Sequence, residues 1–131
     1  MKLSLRCEYA LLALVYLSRT KQAYVPVRII AEAQSIPPKY LEQILLTLKR
    51  AAYLRSSKGQ GGGYTLAKLP SRINLAEIIR LFDGPLAPTS SASVFFYEST
   101  PIEKNSSLLS IFKDIRGYIA NRLENLTLAD L

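Results

Sequence analysis

The sequence has no histidine and no tryptophan, and a single cysteine among its 131 residues. Without histidine it lacks the side chain that most often serves as a general base near neutral pH and most often ligates zinc, which excludes triad hydrolysis and most zinc sites. One thiol, Cys7, cannot close an intramolecular disulfide, and a chain of this length builds an ordinary core without one. Long hydrophobic runs are missing too. The longest, Tyr9 to Leu17, is nine residues, far short of the about 20 that span a bilayer as a helix. Met1-Lys2 before an apolar stretch has a signal-peptide outline, but Arg6 and Glu8 interrupt it and Ser18-Arg19-Thr20-Lys21 offers no small-residue cleavage site. The expectation is a cytoplasmic, single-domain protein with no membrane role and no enzymatic activity.

Acidic residues are scarce in one part of the chain only. Residues 1 to 80 carry 13 Lys and Arg against four acids, a net +9, whereas residues 81 to 131 carry four against six, a net −2. Positive charge gathered in this way is the footprint of a polyanionic partner, although a solvated basic face would look the same in composition.

Apolar residues at three- and four-residue spacing (Leu3, Leu5, Tyr9, Leu12, Ala13, Tyr16, Leu17) predict a first helix over about Ser4 to Ser18. A second, Val27 to Ser35, has Val27, Ile30 and Ala31 on its apolar side, and Ile36-Pro37-Pro38 must turn because each proline disfavours the helical region for the residue before it. Pro38 suits the first turn of a third helix, Pro38 to Ala52, which turns Leu41, Ile44, Leu45, Leu48 and Ala52 inward and leaves Lys39, Tyr40, Gln43, Thr47 and Arg50 outside. A short helix, a tight turn and a helix with a basic, amide-bearing outer face form the helix-turn-helix pattern, whose second helix reads the major groove.

Two strand-like segments follow, Tyr53 to Ser56 and Tyr64 to Ala67, separated by Ser57-Lys58-Gly59-Gln60-Gly61-Gly62-Gly63. A nucleotide-binding P-loop would need a Gly-Lys-Ser/Thr ending and a helix directly after the glycines, and here a strand and Pro70 follow. The hairpin is a wing, whose tip can approach phosphates and whose Lys58 can reach a minor groove. Asn74 is placed to cap a fourth helix with Ile78, Ile79 and Phe82 on its apolar side, ending near Gly84-Pro85. Residues 86 to 107, rich in Ser and without a period, read as a long loop. A last helix runs from Leu108 to about Asn125, with Leu108, Leu109, Phe112, Ile115, Ile119, Arg122 and Leu123 in a stripe. Packing Leu108, Phe112, Ile115, Ile119 and Leu123 against a second copy would bury that stripe and present two recognition helices to a near-palindromic site in double-stranded DNA. The fold class is therefore mainly α with a small β-hairpin: a winged helix-turn-helix over 1–84 (helix-turn-helix 27–52, wing 53–67), a loop over 85–107, and a dimerisation helix with its tail over 108–131.

Leu3-Ser4 with Tyr9-Ala10-Leu11, Ile36-Pro37 with Tyr40-Leu41-Glu42-Gln43-Ile44-Leu45, and Ser56-x-Lys58-Gly59-x-Gly61-Gly62-Gly63-Tyr64-x-Leu66-Ala67 together resemble the Rrf-type family of regulators. Gly84-Pro85-Leu86 and the closing Leu126-Thr127-Leu128-Ala129-Asp130-Leu131 are similar to that family as well. The resemblance implies a homodimeric winged helix-turn-helix transcription factor with its recognition helix in the major groove and its wing tip in the minor groove. The DNA-contacting set is then Arg28, Lys39, Tyr40, Gln43, Thr47 and Arg50 from the helices, and Ser57, Lys58, Gly59, Gly61, Gly62 and Tyr64 from the wing. Lys58 stands where the family usually has Arg, a point charge in place of a planar fork.

Many members of that family carry three cysteines in the loop before the last helix, which hold an iron-sulfur cluster. This loop offers Ser90, Ser91, Ser93, Ser99, Ser106 and Ser107 and no Cys. Serine oxygen is a poor substitute for thiolate at such a cluster, so no cofactor and no metal site is expected. Cys7 and Glu8 match a position where some relatives supply a cluster ligand, and are the candidate sensor residues. Without a cluster the signal is a small-molecule effector, a protein partner or oxidation of Cys7. The competing readings are an adaptor that acts through a protein partner and a non-specific nucleic-acid-binding module.

Overall fold

The Ser4 hydroxyl accepts a hydrogen bond from the Cys7 N–H (3.1 Å) and so starts the first helix, α1 (Leu5–Arg19), in a computed structural model that describes residues Met1–Leu131. The Ser4 N–H and hydroxyl both donate to Asp83, which ties the start of α1 to the end of a helix 79 residues further on. α1 buries Cys7, Ala10, Ala13, Leu14 and Leu17, while Leu5 and Leu12, expected on its inner side, are exposed. The helix is apolar almost all round, so periodicity cannot choose its buried face.

Helices α2 (Val27–Gln34) and α3 (Pro38–Arg50) end slightly earlier than their patterns suggest. The reason is local: Ser35 (φ 54°) and Ala52 (φ 67°) lie in the left-handed region. The N–H of Ile36 then reaches back to the Ala31 carbonyl (3.0 Å), and that of Tyr53 to Leu48 (2.9 Å), closing each helix with the bonds of a left-handed cap. The buried side of α3 is Leu41, Ile44, Leu45 and Leu48, as its spacing requires, but Ala52 is exposed. Strands β1 (Leu54–Ser57) and β2 (Gly63–Leu66) pair antiparallel, with Leu54 opposite Leu66 and Ser57 opposite Gly63.

Asn74 caps α4 (Leu75–Asp83), its side-chain oxygen accepting from the N–H groups of Ala76 (2.8 Å) and Glu77 (3.3 Å). The segment that reads as a structureless loop is ordered by two 3₁₀ turns, Ser90–Ala92 and Pro101–Lys104. Turns of three or four residues leave no hydrophobic period to detect, and these are held by side-chain hydroxyls: Thr100 meets Ser91 at 2.5 Å and Thr89 at 3.1 Å, around a buried Ser91. α5 (Ser106–Glu124) begins two residues before its apolar stripe because the Asn105 side chain caps it at the Leu108 N–H (3.0 Å).

The main core joins Leu14 of α1, Ile30 of α2, the inner face of α3, Leu54 of β1 and Ile78 of α4. A smaller cluster of Cys7, Ala76, Ile79 and Leu86 is covered by Ile119 and Leu123 of α5. The C-terminal tail does not stay with α5. It turns back so that the Leu75 N–H donates to Leu126 and the Leu128 N–H to Ile73, and Leu128 enters the main core.

Candidate nucleic-acid interface

Burial of one side of α3 dictates what its other side offers. Lys39, Tyr40, Gln43 and Arg50 are exposed, whereas Thr47 is half-buried and donates its hydroxyl to the Gln43 carbonyl (3.0 Å), which holds it against its own helix. Tyr40 is set by an edge-on contact with the Tyr9 ring of α1, centroids 5.6 Å apart and planes at 82°. Arg28, exposed on α2, faces Glu32 at 3.8 Å with both side chains in solvent, a pair too weak to hold it from another partner. The chain's other ion pair, Arg80 with Glu124, lies elsewhere, so Lys39, Arg50 and Lys58 have no carboxylate partner. Unpaired, solvated cations are what phosphate contacts use.

The wing's glycines divide into two kinds. Ser57, Lys58, Gly59 and Gly61 are exposed at its tip, and Gly59 (φ 84°) and Gly61 (φ 77°) supply the left-handed conformation there with open space around them. Gly62 was expected among the DNA-contacting residues, but it is buried. Its N–H donates to Gly59 (3.0 Å), and a Cβ on it would stand 2.4 Å from the Ser57 carbonyl oxygen. It closes the turn and presents little to a ligand. Tyr64 is likewise half-buried, packed on the main core, with its backbone paired to Val25. Gly63 permits that pairing, since a Cβ there would lie 2.2 Å from the Val25 carbonyl oxygen. Sequence reasoning missed Val25, because an isolated bridge has no periodic signal.

Cys7 and Glu8 point apart. Cys7 is wholly buried and Glu8 exposed. Burial, followed by the charge of Asp83 and a hydrogen bond to it, pushes the Cys7 thiol up to about 12. It is therefore a protonated, unreactive thiol at neutral pH, against its candidacy as an oxidation sensor. Asp83 carried no signal in the sequence, because it is distant from Cys7 along the chain. In the loop, Thr89, Ser91 and Thr100 use their oxygens on one another. Three hydroxyls and one thiol held on another element do not fit an iron-sulfur cluster, which is built on thiolates.

The expected dimerisation stripe is divided in two. Ile119 and Leu123 face their own chain's small cluster, and Phe112 is half-buried, so these three do not form a free seam. Leu108 and Ile115 are exposed as expected, and they are joined by Ile111 and Tyr118, a run at three- and four-residue spacing that the stripe had omitted.

Residues 3–131 match the family model Rrf2, described as an iron-dependent transcriptional regulator. A helix-turn-helix-type transcriptional regulator of Mycobacterium tuberculosis is 33% identical over 132 residues, covering 100% of this chain and 81% of the relative. CymR of Bacillus subtilis is 27% identical over the same length, covering 100% of this chain and 89% of CymR. In structure, the chain is similar to CymR, the global cysteine regulator of B. subtilis (TM-score 0.77, 27% identity, 99% of this chain and 95% of that one). It is also similar to T. potens IscR (TM-score 0.75, 27% identity, 99% and 85%). With its helices, its hairpin and almost its whole length matched, the chain belongs to the Rrf2 family of transcriptional regulators.

Proposed function

We propose that this regulator acts as a homodimer that binds a near-palindromic site in double-stranded DNA, with α3 in the major groove and the wing tip at the minor groove. The observation that carries this reading is the outer side of α3, where Lys39, Gln43 and Arg50 stand exposed and unpaired above a fully buried apolar side. Gln43 offers an amide that can bond an adenine edge, and Lys39, Arg50 and Lys58 offer charge to phosphates. The Val25–Tyr64 bridge supports a joint action, because it fastens the wing to the segment just before the helix-turn-helix. The run Leu108, Ile111, Ile115 and Tyr118 is the surface on which a second copy fits. The signal is read without an iron-sulfur cluster.

Retention of fragmented genomic DNA on the purified protein, in the presence of competitor DNA, tests the reading. A few enriched fragments sharing a near-palindrome are expected. Gln43→Ala then alters base preference, while Lys58→Ala weakens binding to all sequences and lowers the salt slope by about 1. Equal loss by both variants on specific and random DNA overturns it.

A further inference from the structure

Between α4, α5 and the segment 93–96 lies a half-open cavity of about 210 Å³. For comparison, an apolar cavity of about 150 Å³ accommodates benzene. Its apolar walls are Leu86, Phe95 and Phe96, and Phe95 and Phe96 remain exposed at its rim. Two arginines line it, and they differ. Arg80 is held in an ion pair with Glu124 (2.6 Å) and lies 4.8 Å from the Phe95 ring centre, so its charge is already matched. Arg116 has no carboxylate partner; its Nε donates to the Lys113 carbonyl (3.3 Å), and both terminal nitrogens are left without an acceptor.

Gly117, also lining the cavity, adds an independent observation. A glycine inside a helix costs about 1 kcal/mol relative to alanine, and it usually answers a positive φ or a close neighbour. Gly117 has neither, since a Cβ on it would meet nothing within 4 Å. Its missing side chain leaves the space open.

The geometry points to a binding site for a small monocarboxylic acid with an apolar body of about one ring, its carboxylate on the Arg116 fork and its body between Leu86 and the two phenylalanines. A planar fork with free donors suits carboxylate. With Glu124 at the cavity, one uncompensated positive charge matches a monoanion better than a dianion. α4 closes the winged region 1–84 that holds the helix-turn-helix and α5 carries the exposed apolar run, so an acid bound between them is placed to bias both. That consequence rests on the proposed function, whereas binding itself does not and is measured without DNA.

The test uses the full chain and phenylacetate, with 2-phenylethanol and benzylamine as probes of the same body and different charge. At 10 mM, phenylacetate is expected to raise Tm by about 3 °C or more, and the other two by less than a third of that. Arg116→Gln should abolish the rise. Gly117→Leu should fill the cavity and abolish it too, while its own Tm without ligand stays level or increases, which separates loss of the site from loss of the fold. No rise with phenylacetate, an equal rise with all three compounds, or a rise that survives both substitutions overturns the proposal. A second copy of the chain filling the cavity would appear as the first of these outcomes.

Discussion

Val25 and Tyr64 exchange both backbone hydrogen bonds, at 2.9 and 2.8 Å, and so hold β2 of the wing to the segment just before the helix-turn-helix. The pairing leaves room for nothing but hydrogen on Gly63, which has φ 141° and faces the Val25 carbonyl. Gly63→Ala is therefore expected to lower stability by about 3 kcal/mol or more, through a backbone clash added to conformational strain. Gly61→Ala meets open space and is expected to cost only about 1 kcal/mol. Denaturant unfolding of the two variants side by side checks the difference.

Cys7 should behave as a core residue. Alkylation by iodoacetamide at pH 7.5 is expected to run at least about 100-fold slower in the native protein than in the unfolded chain, because a thiol near 12 is almost wholly protonated. A comparable rate in both states would restore it as a sensor. Protein purified without oxygen should likewise be colourless, and a visible iron-sulfur absorption band would overturn the cluster-free reading.

Alkaline pH should destabilise the fold. The Cys7 thiol is raised from 9.0 to about 12, and the Tyr53 hydroxyl, buried and donating to Glu77 (2.8 Å), from 10.0 to about 12. In both cases the folded chain keeps a proton that the unfolded chain releases, so stability falls as pH rises from about 9 to 12 and is unaffected by these groups below that window. Cys7→Ala and Tyr53→Phe should each flatten the fall, measured as urea midpoints from pH 8 to 11.

Two isoleucines four residues apart on α5 should give opposite results. Ile115→Asp, on the exposed run, is expected to yield a folded monomer by analytical ultracentrifugation with Tm determined separately. Ile119→Asp places a charge against the Cys7, Ile79 and Leu86 cluster and is expected to cost several kcal/mol of fold stability. Unfolding by Ile115→Asp and tolerance of Ile119→Asp would reverse the assignment of the two faces.

Ala52 ends α3 in the left-handed region, which L-residues with a Cβ occupy at a cost. Ala52→Gly is expected to stabilise the protein by about 0.5–1 kcal/mol, read as a rise in the urea midpoint with an unchanged slope. Asn74→Ala should do the reverse by about 1–2 kcal/mol, since Asn74 caps α4 and its amide also donates to the Glu124 carbonyl at the end of α5.

Local chemistry alone placed much of this protein. The 3.6-residue spacing in α3 chose Leu41, Ile44, Leu45 and Leu48 for the interior, Asn74 marked the start of α4, and the Gly-rich run between two short strands marked the wing. Each is a matter of neighbours within a few residues, where the chain's own geometry decides. Other features depend on groups that meet only when the chain has closed on itself. The inner face of α1 was ambiguous until α3 and α4 packed against it, because leucines surround that helix. Cys7 has the surroundings of an inert thiol because the packed helices bury it and Asp83 arrives from the end of α4, and Tyr64 turned inward because the wing is drawn back to Val25. The division of α5 into a face that covers its own core and a face left open was likewise beyond the reach of periodicity, which counts apolar residues along a helix and says nothing of which neighbour, if any, lies opposite each one.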